Sequence, residues 1–280
     1  MRNKKAYFFM LPALLLLLMF VIAPMFQVVY YSMLKYNFFE ESRFVFLKNY
    51  AALFADSAFR HTLLNSLIYI LVTPIIMFIS LYLALLLRQA GRYSKFFRAS
   101  LFIPVVTPIV IAGIIWRWIF SEDSGLLNYL VSLAGIKPIH WITNYPLNII
   151  SIMIVVIWRG MGYYMMLFLA GLAVIPKEQE EASILDGANR FQQVFYIIMP
   201  MLKPTLVLVF VTSATSAIKI FTEIYTILPG APMNNKGLVS YMYQQAFERF
   251  DFGLGSAAGT VLFLLTFAFS YVNIKMMEKE

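Results

Sequence analysis

Three long stretches carry no Asp, Glu, Lys or Arg: Ala6–Leu34, Thr62–Leu87 and Gly253–Ile274. Each exceeds the roughly 20 residues that a helix needs to cross a bilayer. Inside hydrocarbon every backbone N–H and C=O must find a partner within the protein, which leaves helices or closed barrels. A barrel would show alternating segments of about 10 residues, and that alternation is absent. The expected fold is therefore an all-α polytopic membrane protein. Composition agrees: 61% of the 280 residues are hydrophobic and 13% charged, whereas a soluble domain is about half apolar and a quarter charged.

Hydropathy predicts six spans, at about 7–33, 62–87, 99–120, 147–173, 204–228 and 253–275. The whole chain, 1–280, reads as a single transmembrane domain, with no evident internal repeat or low-complexity tail. The first span begins like a secretory signal ("MRNKK"), but its apolar run is too long and no small-x-small cleavage site follows. It is expected to stay. With the N-terminus inside, the cytoplasmic segments hold Arg2, Lys4, Lys5, Arg88, Arg92, Lys95, Arg98, Lys177, Arg190, Lys203, Lys275 and Lys279. The outer segments hold Lys35, Arg43, Lys48, Arg60, Lys137, Lys236 and Arg249. The bias predicts both termini in the cytoplasm. It also accounts for the formal charge of +8 without a nucleic-acid partner.

Several chemistries find no support. The chain has no cysteine, so disulfides, thiolate metal sites and a cysteine nucleophile are excluded. His61 and His140 have no ligand partner at metal spacing and are expected at the membrane surface. No GxSxG is present, and no catalytic residue is assigned. There is no Gly-Lys dipeptide and hence no phosphate-binding Walker loop. "GLGSAAG" (Gly253–Gly259) lacks the GxGxxG spacing and preceding strand of a dinucleotide site. Its Gly255 and Gly259 instead form GxxxG, a helix-packing pattern. Pro12, Pro24, Pro74, Pro104 and Pro108 mark kinks or breaks, which either line a pathway or serve as scaffolding.

Three membrane positions are charged. Arg159 falls in the fourth span; Lys219 and Glu223 fall in the fifth, four apart, and could pair along one helix face. Each costs about 2.5–3.5 kcal/mol at mid-membrane, so all three should face the bundle interior, as internal ion pairs or as a polar substrate lining. Asn65, Trp158 and Tyr225 join them as candidate pathway residues. Amides and aromatic faces suit sugars, although Trp and Tyr also favour membrane interfaces. Arg117, near an outer end, is expected to snorkel.

The fourth connection, 174–203, is different in kind. "PKEQEEASILDGANRF" (Pro176–Phe191) starts with Pro176 and the acids Glu178, Glu180 and Glu181, which suit a helix N-terminus. Asp186 and Arg190 could pair, and Gly187 is placed to stop or bend the helix. A short helix, a turn and a second helix are predicted. The cluster Ala182, Ser183, Gly187 and Ala188 permits close approach to a partner; an interfacial connector is the plainer reading.

This segment resembles the EAA loop of ABC importer permeases. That pattern is E-A-A, three residues, G, nine residues, then I-x-L-P. Here Glu181-Ala182-Ser183, Gly187 and Ile197-Ile198-Met199-Pro200 keep the spacing, with Ser183 and Met199 as mild departures and "DGAN" (Asp186–Asn189) intact. "LKNYAALFADSAFRHTLLNSLIY" (Leu47–Tyr69), "GLLNYLVSLAG" (Gly125–Gly135), "FLAGLAVIPKE" (Phe168–Glu178) and "FERFDFGLGSAAG" (Phe247–Gly259) resemble the carbohydrate-type members. "TILPGAPMNN" (Thr226–Asn235) departs from their TGGGP-like turn. The resemblance implies the type I ABC importer permease fold in a bacterial or archaeal inner membrane. It implies a coupling role for Glu181, Ala182, Ser183, Asp186, Gly187 and Ala188. It further implies a second homologous permease in a heterodimer, two ATPase subunits holding ATP and magnesium, and an extracytoplasmic solute-binding protein. No cofactor is expected in this chain. The rival readings are an ion-coupled secondary transporter using Arg159, Lys219 and Glu223, and a membrane enzyme.

Overall fold

The computed structural model describes residues 2–89 and 91–278; Lys279, counted above among the cytoplasmic charges, lies outside them. Four helices are long and apolar enough to cross a membrane unbroken: α1 (Tyr7–Tyr31), α2 (Ser57–Arg88), α5 (Leu147–Val174) and α11 (Phe252–Asn273). Two further spans are bent pairs. α3 (Gly91–Val106) meets α4 (Ile109–Ile119) at 93°, and α7 (Arg190–Met201) meets α8 (Lys203–Ile218) at 73°. Counting each pair as one span gives six. Of the shorter helices, α6 (Lys177–Leu185), α9 (Thr222–Ile227) and α10 (Leu238–Tyr243) bear on the site; Lys48–Ala55 lies between α1 and α2, and Leu126–Leu133 between α4 and α5. Among the described residues the one sheet is a hairpin that pairs Leu34 with Phe44 and Lys35 with Arg43.

Two expected spans differ from their hydropathy. The third is not one rod over 99–120. Thr107 precedes Pro108 and is extended, with ψ 128°, because the proline ring crowds the helical conformation of the residue before it. The fifth does not run to 228. Its helix stops at Ile218, Lys219 turns out of helical geometry (φ −97°, ψ 13°), and the chain restarts at Thr222. No proline or glycine marks that second break.

The core forms in three patches. Val72, Ile76, Phe168, Leu172 and Leu202 pack α2, α5 and α8 together towards α6. Tyr69, Phe120, Ile152 and Ile224 fill the opposite half of the same bundle. Phe59, Leu238, Tyr241, Ala257 and Ala258 join α2, α10 and α11. Gly162 lets α5 lie against α3, since a methyl group there would collide with the backbone oxygen of Leu101. Small residues at such crossings are how membrane helices gain contact area. Gly255 and Gly259 likewise face Ala246 and Met242, in keeping with the packing reading of GxxxG. α1 packs on α11 through its second half, where Val28 lies 3.7 Å from the position a methyl group on Gly259 would take, while 0% of its most apolar window is buried.

Tethers on the side opposite α6 hold the loops. Asp56 caps α2 by accepting from the backbone N–H of Ala58, and its other oxygen accepts from Tyr241 Oη at 2.7 Å. Glu122 accepts from Thr143 Oγ1 at 2.7 Å and meets His140 Nδ1 at 2.6 Å. His61 Nδ1 contacts the carbonyl of Ser57 at 2.7 Å. Among the described residues no group of three or more His, Asp or Glu could hold a metal ion.

Candidate functional site

Both helix breaks open onto one cavity of about 620 Å³. Val105 and Ile109 border it from the α3–α4 break. Lys219, Phe221 and Glu223 border it from the α8–α9 break. α2 supplies Val72 and Ile76, and α5 supplies Arg159, Tyr163 and Tyr164. Irregular backbone at membrane depth is tolerated where it is buried in protein or lines a cavity, which is what both breaks do.

Arg159, Lys219 and Glu223 thus share a wall, as their charge suggested, but their pairing differs from the sequence expectation. Lys219 and Glu223 do not meet along one helix, because the helix ends between them. Glu223 instead accepts from Arg159 Nη1 at 3.2 Å, across 64 positions of sequence. Its carboxylate is nearly buried and the Arg159 side chain is 36% exposed. Arg159 Nε has no acceptor among the described residues. Nor does an ion pair reach Lys219 among them. The cavity therefore presents cationic donors, one carboxylate, and the hydroxyls of Thr212, Ser213, Ser216 and Thr222. The hydroxyl run Thr212-Ser213-Ala214-Thr215-Ser216, unusual inside an apolar span, is the sequence signal that reading for charge alone misses.

The other three candidates lie elsewhere. Asn65 is buried and donates to the carbonyls of Asn234 and Lys236 at 2.8 and 2.9 Å, so it clamps a loop. Ser66 does the same by accepting from the N–H of Leu238 at 2.8 Å. Trp158 packs edge-on against Trp116, with centroids 5.5 Å apart. Tyr225 is exposed and touches the cavity only through Phe221, at 5.5 Å between rings. Those two rings continue through Tyr243 to exposed Phe247, at 5.1 and 5.2 Å per step. A second cavity, about 700 Å³, lies between α4 and the 227–232 loop; Arg117, Glu122 and Asp123 border it.

The loop on the α6 side has the predicted helix–turn–helix form. α6 ends in a left-handed turn at Gly187 (φ 82°). Gly187 N–H donates to Ile184 O at 3.0 Å and Ala188 N–H to Ser183 O at 2.9 Å, the paired bonds of a Schellman cap. Asn189 and Gln192 then cap α7 reciprocally, a capping box that closes the turn from the other side. Two expectations change. Asp186 and Arg190 form no ion pair among the described residues, because the cap turns the chain between them. Ser183 is 4% exposed and donates to Glu180 O at 2.6 Å, so its hydroxyl is satisfied within its own chain. The outward face is Glu181, Ala182, Ile184, Leu185 and Asp186, with Leu185 88% exposed.

Residues 76–278 match the family described as "Binding-protein-dependent transport system inner membrane component". The chain belongs to that family. Among its relatives, a probable ABC transporter permease protein, YurN of Bacillus subtilis (strain 168), is 33% identical over 97% of this chain and 95% of its own length. The arabinooligosaccharides transport system permease protein AraP of the same organism is 34% identical over 98% and 89%. A crystal structure of the bacterial alginate ABC transporter, in complex with its alginate pentasaccharide-bound periplasmic protein, contains a chain of the same fold. Its TM-score is 0.86 at 20% identity, over 99% of this chain and 95% of that one. The chain is accordingly a multi-pass permease subunit of an ABC importer, and its business is transport, not catalysis.

Proposed function

We propose that this permease carries sugars or sugar-like solutes through the 620 Å³ cavity by alternating access, driven by ATP hydrolysis in separate subunits that grip α6. The observation that carries the reading is the cavity's place and lining. It lies where two spans break, and it gathers a cation–carboxylate pair, the Lys219 ammonium, the hydroxyls of Thr212, Ser213, Ser216 and Thr222, and the rings of Tyr163, Tyr164 and Phe221. Hydroxyl-rich solutes are bound by such donors and acceptors, with aromatic faces covering their C–H surfaces. Relatives named for arabinooligosaccharide transport support the solute class.

Two homologous permeases forming a heterodimer, two ATPase subunits with ATP and magnesium, and an extracytoplasmic solute-binding protein complete the assembly. The whole chain, 1–280, acts as one transmembrane unit with α6 and both termini in the cytoplasm. Glu181, Ala182, Asp186, Gly187 and Ala188 form the coupling contact; Ser183 shapes it from behind. Ion coupling by Arg159, Lys219 and Glu223 would draw on the same cavity wall; the ATP-driven reading is preferred because the family is that of binding-protein-dependent systems.

The test is uptake into proteoliposomes holding the complete transporter, with its binding protein and a panel of labelled oligosaccharides. ATP-dependent uptake that Arg159→Met and Ser216→Leu impair, with the assembly intact, supports the reading. Uptake without ATP, or of no saccharide bound by the binding protein, contradicts it. Gly187→Asp should leave membrane insertion intact and uncouple or release the ATPase; normal uptake by that variant would count against the coupling role.

A further inference from the structure

The coupling helix α6 is attached to the bundle at two points. The first is covalent: α5 ends at Val174 and α6 starts at Lys177, joined by extended Ile175 (ψ 123°) and Pro176 (ψ 132°). Ile175 is only 6% exposed, inside the core patch of Phe168 and Leu172, and Pro176 fixes its own φ, so this joint ties α6 firmly to α5 but not to α2. The second point is an ion pair. Glu180, one turn into α6, meets Arg88 Nη1 at 2.6 Å, and each side chain is 26% exposed.

The surroundings of this pair are built. Arg88 belongs to the last turn of α2 and Glu180 to the first turn of α6, so each charge also complements its own helix dipole. Ser94 Oγ donates to Leu87 O at 3.0 Å and closes the end of α2 beside Arg88. Ser183 Oγ donates to Glu180 O at 2.6 Å, pinning the backbone that carries the carboxylate. The helix that Arg88 terminates is a cavity wall, through Val72 and Ile76. It is tied to α5 by Ser80 Oγ, which donates to Met161 O at 3.0 Å, two residues from Arg159. The contacts thus close a loop: α5, Ile175–Pro176, α6, Arg88, α2, Ser80, α5.

We propose that the Arg88–Glu180 pair is the second anchor of the coupling helix, which lets α6 act on α2 as well as on α5 and so turn the two together. Arg88 and Glu180 are positioning residues. Neither lines the cavity. Without the pair, a force applied at Leu185 and Asp186 would reach α5 through Ile175–Pro176 and would not be shared with α2. The proposal rests on the coupling reading above and adds the route by which motion at α6 reaches the cavity.

The experiment compares Arg88→Glu, Glu180→Arg and the double reversal in the complete reconstituted transporter. It measures subunit retention and solute imported per ATP hydrolysed. A merely structural surface pair would leave that ratio unchanged, as exposed pairs contribute little. The expected result is a fall of about tenfold for each single reversal, within the usual range of a coupling energy, with recovery in the double reversal. Unchanged single variants, or a folded double reversal without recovery, overturn the proposal. If a reversal fails to insert, the cysteine-free background allows Arg88→Cys with Glu180→Cys. Bridging those thiols in the membrane should raise the ratio above that of the unbridged protein, and no rise on bridging is equally fatal. A wild-type complex that contains no ATPase at all would instead sink the coupling reading itself.

Discussion

Truncating Glu223 to alanine strips the cavity of its one carboxylate and strands Arg159. At 3.2 Å the pair's gross attraction is about 5 kcal/mol at an effective dielectric of about 20. Breaking a fully buried pair costs about 3–5 kcal/mol, because the survivor keeps its desolvation penalty. Glu223 meets that condition but Arg159, 36% exposed, retains partial access to water, which screens the loss. We therefore expect Glu223→Ala to destabilise the permease by about 2 kcal/mol, and Glu223→Gln, which keeps an acceptor, by less. Thermal unfolding of the purified protein in detergent would read this as a drop of roughly 4–8 °C, at about 2–4 °C per kcal/mol for a chain near this size. Arg159→Met alone should also destabilise, by leaving the carboxylate unpaired. The double variant should fall short of the sum by at least ~1 kcal/mol, since contacting residues couple. Two results refute the reasoning: a Glu223→Ala midpoint within 1 °C of wild type by that same roughly 2–4 °C scale, or strict additivity in the cycle.

Other consequences lie outside the charged pair. Gly162→Ala pushes a methyl group into the Leu101 carbonyl and should cost about 1–3 kcal/mol of stability as α3 and α5 separate, seen as reduced folded yield and a lower unfolding midpoint. Tyr241→Phe removes a 2.7 Å bond to the Asp56 carboxylate and should cost about 1.5–3 kcal/mol in the same assay. Burial pulls the Glu122 carboxyl upward, but hydrogen bonds from His140 and Thr143 outweigh it and hold the group below its ordinary range. Its contribution is therefore complete above the unfolded value, about 4.3, and lost as pH falls through the lower folded value. The stability gap between wild type and Glu122→Gln should be flat near neutrality and close in that acid window.

The spans were legible because a bilayer leaves the backbone so few options; a run such as Thr62–Leu87 has little else to become. Pro108 announced a break, though not its 93° angle, which packing of α3 on α5 sets. The break after Ile218 was invisible, since "SAIKIFTEI" reads as continuous helix; it follows from burying Glu223 against Arg159, a contact 64 positions distant. The tether made by Asn65 was illegible for a related reason: its amide satisfies two loop carbonyls 169 and 171 positions away. At α6 the caps were readable locally, from Gly187 and the Asn189–Gln192 spacing. The inward turn of Ser183 was not, because which face of a short polar helix is buried depends on how the helix packs, and its local sequence does not say.

The central claim is that this chain is one subunit of a machine powered elsewhere and gripped at α6. Gentle extraction from its native membrane, with every co-purifying subunit identified, tests that most directly. The account predicts an ATPase, a second homologous permease and a solute-binding protein, with the ATPase lost when Leu185 and Asp186 are replaced by lysine. A chain that emerges alone and transports solute in liposomes without ATP would contradict it.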